Sequence, residues 1–126
     1  MFALSSSHKF WLYGQATDMR KGFNGLSGIV RNELLGNPMN GDVFIFINKR
    51  RDKIKLLHWV GVGFTVYYKQ LEQDTFELPE YDNDTSVQSI HLSYTQLVML
   101  IDGLIIKNVT RRKRYSYPPN KVENEV

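Results

Sequence analysis

The 126 residues carry 16 Lys and Arg against 13 Asp and Glu, a net charge of +3, and 42% of them are apolar. That is the size and balance of one globular domain with a real core. The chain has no cysteine, which excludes disulfides, a thiolate zinc site and a cysteine nucleophile and suits a cytoplasmic protein. No apolar run approaches the ~20 residues that cross a bilayer, and the opening MFALSSSHKF lacks the charged and long apolar regions of a secretory signal, so no membrane association is expected.

Residues 9–16 (KFWLYGQA) are aromatic and apolar and read as a first strand. Thr17 and Asp18 offer N-cap oxygens for a helix over residues 19–35. Phe23, Leu26, Val30 and Leu34 recur at spacings of three and four and form its apolar stripe. Gly22, Gly25 and Gly28 sit within it, each costing roughly 1 kcal/mol against Ala, which suggests close packing of the helix backbone on a neighbour. Gly36-Asn37-Pro38 stops it.

Residues 42–71 organise the chain as a three-stranded antiparallel meander. Residues 43–47 (VFIFI) read as a strand buried on both faces. Asn48 to Asp52 form an exposed connection. In residues 53–59, Ile54, Leu56 and His58 face one way and Lys53 and Lys55 the other. Val60-Gly61-Val62-Gly63 makes a turn. Residues 64–71 alternate, with Phe64, Val66 and Tyr68 opposite Thr65, Tyr67 and Lys69. Residues 75–78 read as one more short strand and residues 80–88 as an acidic loop. Ser93-Tyr94-Thr95-Gln96 is a capping box, with Leu92 and Leu97 spaced for a hydrophobic staple. Leu97, Leu100, Ile101 and Leu104 then mark the buried stripe of a second helix, which Gly103 weakens or ends.

The order β-α-β-β-β-(β)-α predicts a single α+β domain over residues 1–108. It has an antiparallel sheet of four to five strands with two helices packed on one face. Residues 109–126 are charged, contain two prolines and read as a flexible basic tail.

No constellation for catalysis emerges. His8, His58 and His91 are scattered without metal-ligand spacing, and His58 alternates in phase with core residues. No GxSxG, P-loop or GxGxxG occurs, and the acids of residues 72–84 read as a solvated loop. No enzyme, cofactor or metal is expected. Charge is better organised. Residues 49–55 hold five basic side chains and one acid, residues 107–114 five and none, and residues 72–84 six acids and no base. Lys49, Arg50, Arg51, Lys53 and Lys55 on a hairpin, and Arg111, Arg112, Lys113 and Arg114 on the tail, are candidates for phosphate contact. So are Arg20 and Lys21 at the first helix N-terminus, although Arg20 could instead pair with a nearby acid. Tyr67, Tyr68, Tyr115 and Tyr117 could stack on unpaired bases, with sheet packing the simpler role for the first two.

The stretch TDMRKGFNGL, from Thr17 to Leu26, resembles the signature of the TnpB-type, second-reading-frame accessory proteins of the insertion sequence 66 transposon family. GDVFIFINKRRDKIKLLHW, GFTVYYKQLEQDTFELP and LSYTQLVMLIDGL resemble three further segments of that family in the same order, so the likeness spans residues 10–105. Three positions depart from the family pattern. Val60 stands where an acid usually follows the Trp, which excludes a catalytic role for that acid in this chain. Gln70 replaces a usual Arg and Asp74 a usual Gly, and both lower positive charge near the third strand of the meander.

The resemblance implies a role in DNA transposition beside a separate, larger catalytic transposase, and with no catalytic constellation in the chain that role is expected to be a non-catalytic, accessory one. Two functional readings follow. In the first, the chain binds DNA through the basic hairpin. In the second, it is an adaptor that docks on the transposase, or on the other element-encoded protein, without contacting DNA.

Overall fold

The computed structural model describes residues 4–78 and 88–103. Its elements are β1 (Phe10–Tyr13), α1 (Phe23–Asn32), β2 (Val43–Ile47), β3 (Lys53–Trp59), β4 (Phe64–Gln70), β5 (Ser89–Leu92) and α2 (Tyr94–Ile101). The strands form one sheet in the order β4-β3-β2-β1-β5. The α+β class and the meander stand, with β2, β3 and β4 pairing antiparallel in sequence.

The sheet is mixed rather than wholly antiparallel. β1 and β2 run parallel, with Phe10 opposite Val43 and Leu12 opposite Ile45. The cause is the connection: a helix between two adjacent strands lets the chain return to the starting end of the sheet, which a tight turn does not. On its other side β1 pairs antiparallel with β5, with Trp11 opposite His91.

The two helices cover opposite faces, not one. Alternation along VFIFI sends Val43, Ile45 and Ile47 to one side and Phe44 and Phe46 to the other, and all five are buried. The first side packs with Phe10, Leu12, Ile54 and Leu56 against Leu97, Leu100 and Ile101 of α2. The second packs with Leu57 against Leu26 and Val30 of α1. Both faces of the central strand are apolar, so both need a cover, and each fully buried side chain contributes about 1.5–3 kcal/mol.

α1 is shorter than its sequence pattern. It starts at Phe23, and its N-cap is Gly22, without a side-chain cap. Asp18 does not cap it. Its carboxylate instead accepts from the Arg20 backbone N–H at 2.9 Å, and its carbonyl from Lys21 N–H at 3.1 Å, closing a local turn. This is the competition that short polar side chains offer to helix. Phe23, expected in the buried stripe, is 50% exposed because it lies on the first turn. Nor do Gly22 and Gly28 mark close packing, since a Cβ at either would meet open space. Gly25 is different: a Cβ there would lie 3.0 Å from Lys21 Cβ, whose stem crosses it. The helix closes through a bond from Gly36 N–H to the Val30 carbonyl, with Leu35 in the left-handed region at φ 54°. Leucine there takes a conformation that glycine usually supplies at a helix end.

Residues 75–78 form no strand. Phe76 is 1% exposed and inserts into the α2-side core, while its N–H donates to the Arg51 carbonyl at 2.7 Å. The fifth strand is instead β5, just before the second helix. Ser93 and Gln96 make the expected capping box, and Leu92 and Leu97 are both buried. α2 ends at Ile101, ahead of Gly103 at φ 74°, and Lys69 Nζ donates to the Ile101 carbonyl at 2.7 Å. Leu104 and the tail lie outside the described residues.

Candidate nucleic-acid interface

Parallel pairing of β1 and β2 brings their carboxyl ends to one end of the sheet, the place where α/β folds commonly bind ligands. The segment leaving β1 and the hairpin leaving β2 therefore meet. Thr17 N–H donates to the Ile47 carbonyl at 2.9 Å and ties the two together.

The hairpin is built around Asn48. Its side-chain oxygen accepts from the N–H groups of Asp52 and Lys53, each at 3.0 Å, and its amide donates to the Asp52 carboxylate at 2.7 Å. Arg51 turns the chain at φ 61°. The hydrogen bond from Asn48 holds the Asp52 carboxyl below its usual range, with the nearby charges of Arg50 and Lys53 adding to the effect. Lys49, Arg50 and Arg51 thereby stand exposed on an ordered tip.

Between the tip and the segment after β1 lies an open cleft of about 480 Å³, lined by Ala16 to Arg20, Asn48, Lys49, Arg50, Lys53 and Tyr68. Of the sequence-predicted set, Arg20, Lys49, Arg50 and Lys53 meet here. Lys49, Arg50 and Lys53 make no hydrogen bond or ion pair through their side chains among the described residues. Arg20 is already engaged: it donates to Asp18 through Nε and Nη2, the latter at 2.7 Å. That pairing, the Arg20 hydrogen bond foremost, lowers the Asp18 carboxyl to about 2. The cleft thus holds four cations and one carboxylate that stays ionised at neutral pH.

Two predicted contacts fall elsewhere. Arg51 lines an adjoining hollow of about 230 Å³ with Gly14, Gln15 and Leu78. Lys21 is exposed, lies against Gly25 and does not line the cleft. Lys55 is turned inward. It is only 9% exposed, and its ammonium donates to the carbonyls of Met19 at 2.7 Å and Lys21 at 2.8 Å. It also sits 4.7 Å from the centroid of the Tyr68 ring. Its place on β3, next to Leu57 on the α1 face, points it under the chain instead of toward a ligand. Arg111, Arg112, Lys113 and Arg114 lie outside the described residues, as does the later part of the acidic segment.

The two tyrosines separate. Tyr67 packs against the α2-side core, whereas Tyr68 is 51% exposed on the cleft wall. Sequence reasoning missed Asn48 and Thr17 as parts of the site. Thr17, expected at a helix cap, is 4% exposed and lines the cleft, and its hydroxyl has no hydrogen-bond partner among the described residues. The missing signal was the parallel strand pair. Once β1 and β2 lie side by side, whatever follows each must converge.

The histidines remain apart from this site. His58 is buried and stacks edge-on with His8 at 5.0 Å, and burial, then the His8 charge, lowers its pKa. No group of metal-ligating side chains occurs among the described residues. No helix among them is long and apolar enough to cross a membrane.

These features define a small α+β domain whose candidate site is an open basic cleft at a sheet end. The chain belongs to the family described as IS66 Orf2-like protein, whose model matches residues 8–111. That membership supports an accessory role in the life of an insertion element. Two relatives come from Sinorhizobium fredii (strain NBRC 101917 / NGR234). The uncharacterized protein y4jC is 34% identical over 98 residues, covering 78% of this chain and 80% of that protein. The uncharacterized protein y4hO is 29% identical over 96 residues, covering 76% and 80%. No solved structure matches the chain.

Proposed function

We propose that this protein is a non-catalytic accessory factor of insertion-element transposition that grips DNA by its phosphates at the basic cleft. The observation that carries the reading is convergence. Arg20 arrives from the segment after β1, while Lys49, Arg50 and Lys53 arrive from the β2–β3 hairpin, and all four line one cavity. Cations gathered on an ordered scaffold attract a polyanion, and each phosphate neutralised releases counterions. Nothing in the cleft distinguishes one base from another, so affinity without strong sequence preference is expected from it. Replacing Lys49, Arg50 and Lys53 together by Ala should weaken binding to all duplexes alike. The slope of log affinity against log salt should fall by about 2–3, near 0.9 for each phosphate no longer neutralised. Unchanged affinity and slope would overturn the reading.

A second reading has one observation in its favour. The β3–β4 turn presents Val60, 49% exposed, and Val62, 94% exposed, beside the Trp59–Phe64 pair. Exposed aliphatic groups at a turn suit docking on a protein, and the catalytic transposase is the natural partner for such an adaptor. A transposase complex that survives nuclease treatment and disappears on Val60→Ser and Val62→Ser would favour it.

A further inference from the structure

We propose that the cleft receives an unpaired nucleotide of single-stranded DNA, with its base stacked on Tyr68 and its flanking phosphates held by Lys49, Arg50 and Lys53. The inference rests on the nucleic-acid reading above and goes further, to the form of DNA recognised at this site. Phosphate contact alone requires cations and no aromatic group. Here the cations share the cleft with a tyrosine ring that is half exposed, while its neighbour Tyr67 packs against the core. A basic groove with an aromatic platform is the arrangement that binds unpaired strands, because every base has a face to stack and a duplex keeps its faces covered.

The ring is also held in place. Lys55 lies opposite Tyr68 in the β3–β4 register, and its ammonium sits 4.7 Å from the ring centroid. That ammonium is fixed in turn by the carbonyls of Met19 and Lys21. Lys55 is thus a positioning residue: it orients the platform and adds cation–π attraction, and it does not meet the strand. The cavity, about 480 Å³, falls within the range of pockets that enclose small molecules, so it has room for one nucleotide unit. Thr17 adds a buried hydroxyl with no partner among the described residues to the same wall.

The test uses the full chain, a labelled twelve-nucleotide oligo-thymidine strand, and a closed duplex hairpin of equal charge. At matched salt the wild type should bind the strand more tightly than the duplex. Tyr68→Ala should weaken strand binding about tenfold, from the loss of one stack, with the salt slope unchanged and duplex binding altered less than twofold. Tyr68→Phe should keep wild-type affinity. Photocrosslinking of the wild type to a strand carrying 5-bromodeoxyuridine should place an adduct on Tyr68 whether or not any variant folds. Equal losses on strand and duplex, no loss on either, or adducts only outside the cleft would overturn this inference while leaving phosphate gripping intact. Failure of the wild type to bind either DNA would overturn both.

Discussion

Replacing Lys55 by Met keeps the length and apolar stem of the side chain and removes its charge. Two bonds disappear, from Nζ to the Met19 carbonyl at 2.7 Å and to the Lys21 carbonyl at 2.8 Å, together with the approach to the Tyr68 ring. A hydrogen bond to a charged donor contributes about 1.5–3 kcal/mol when its loss strands the partner. The residues around these two carbonyls are partly exposed, so water recovers a share, and the net loss should be about 2–3 kcal/mol. For a domain of this size that lowers Tm by roughly 8–12 °C. Urea unfolding followed by circular dichroism measures it, and a salt titration of DNA binding accompanies it. A structural lysine lowers stability and leaves the salt slope within experimental error of wild type. A phosphate-binding lysine leaves stability nearly unchanged and reduces the slope by about 1. A variant within about 0.5 kcal/mol of wild type, with a reduced slope, would refute the assignment.

Three further outcomes are expected. Asp18→Asn removes the carboxylate that occupies Arg20 while keeping an acceptor for the Arg20 N–H; DNA affinity should rise several-fold and the salt slope by about 1, and no change would take Arg20 out of the interface. His58 has a folded pKa below its ordinary value of 6.5, so the unfolded chain binds more protons below that value. Stability should therefore fall as pH drops from about 7.5 through 6.5 and level off once the folded ring also protonates. His58→Gln should flatten that fall in a pH series of melting curves, and an identical pH profile would contradict it. Leu35→Gly relieves the left-handed conformation at φ 54°; after the greater unfolded freedom of glycine, it should gain roughly 0.5–1 kcal/mol in urea unfolding, and a loss would rule out strain at this position.

Periodicity and turn chemistry made much of the fold legible. The unbroken apolar run VFIFI, the Gly-rich turn at residues 60–63 and the Ser93–Gln96 capping box are local signals, and each element stands where its signal put it. What escaped were consequences of pairing. Parallel or antiparallel pairing of β1 with β2 leaves no mark on either short strand, so the mixed sheet and the convergence at the cleft were hidden together, whereas the apolar run of β2 already called for a cover on each face. Phe76 shows the reverse error, a residue buried like a strand residue but held by one bond to Arg51 without a ladder. For the site, charge clustering singled out Lys49, Arg50 and Lys53, which meet in the cleft. It equally singled out Lys55, because charge in a sequence does not tell a ligand contact from a bond to the chain's own carbonyls. Arg20 fell between, near the cleft yet bound to Asp18, two residues away.

Phosphate gripping by the cleft at the sheet end is tested most directly by DNA binding of the purified chain. A labelled duplex carrying the element's ends and a scrambled duplex are each titrated from low to moderate salt. Binding to both, falling steeply and in parallel as salt rises, is the expected result. Absence of binding to either duplex at low salt would contradict it.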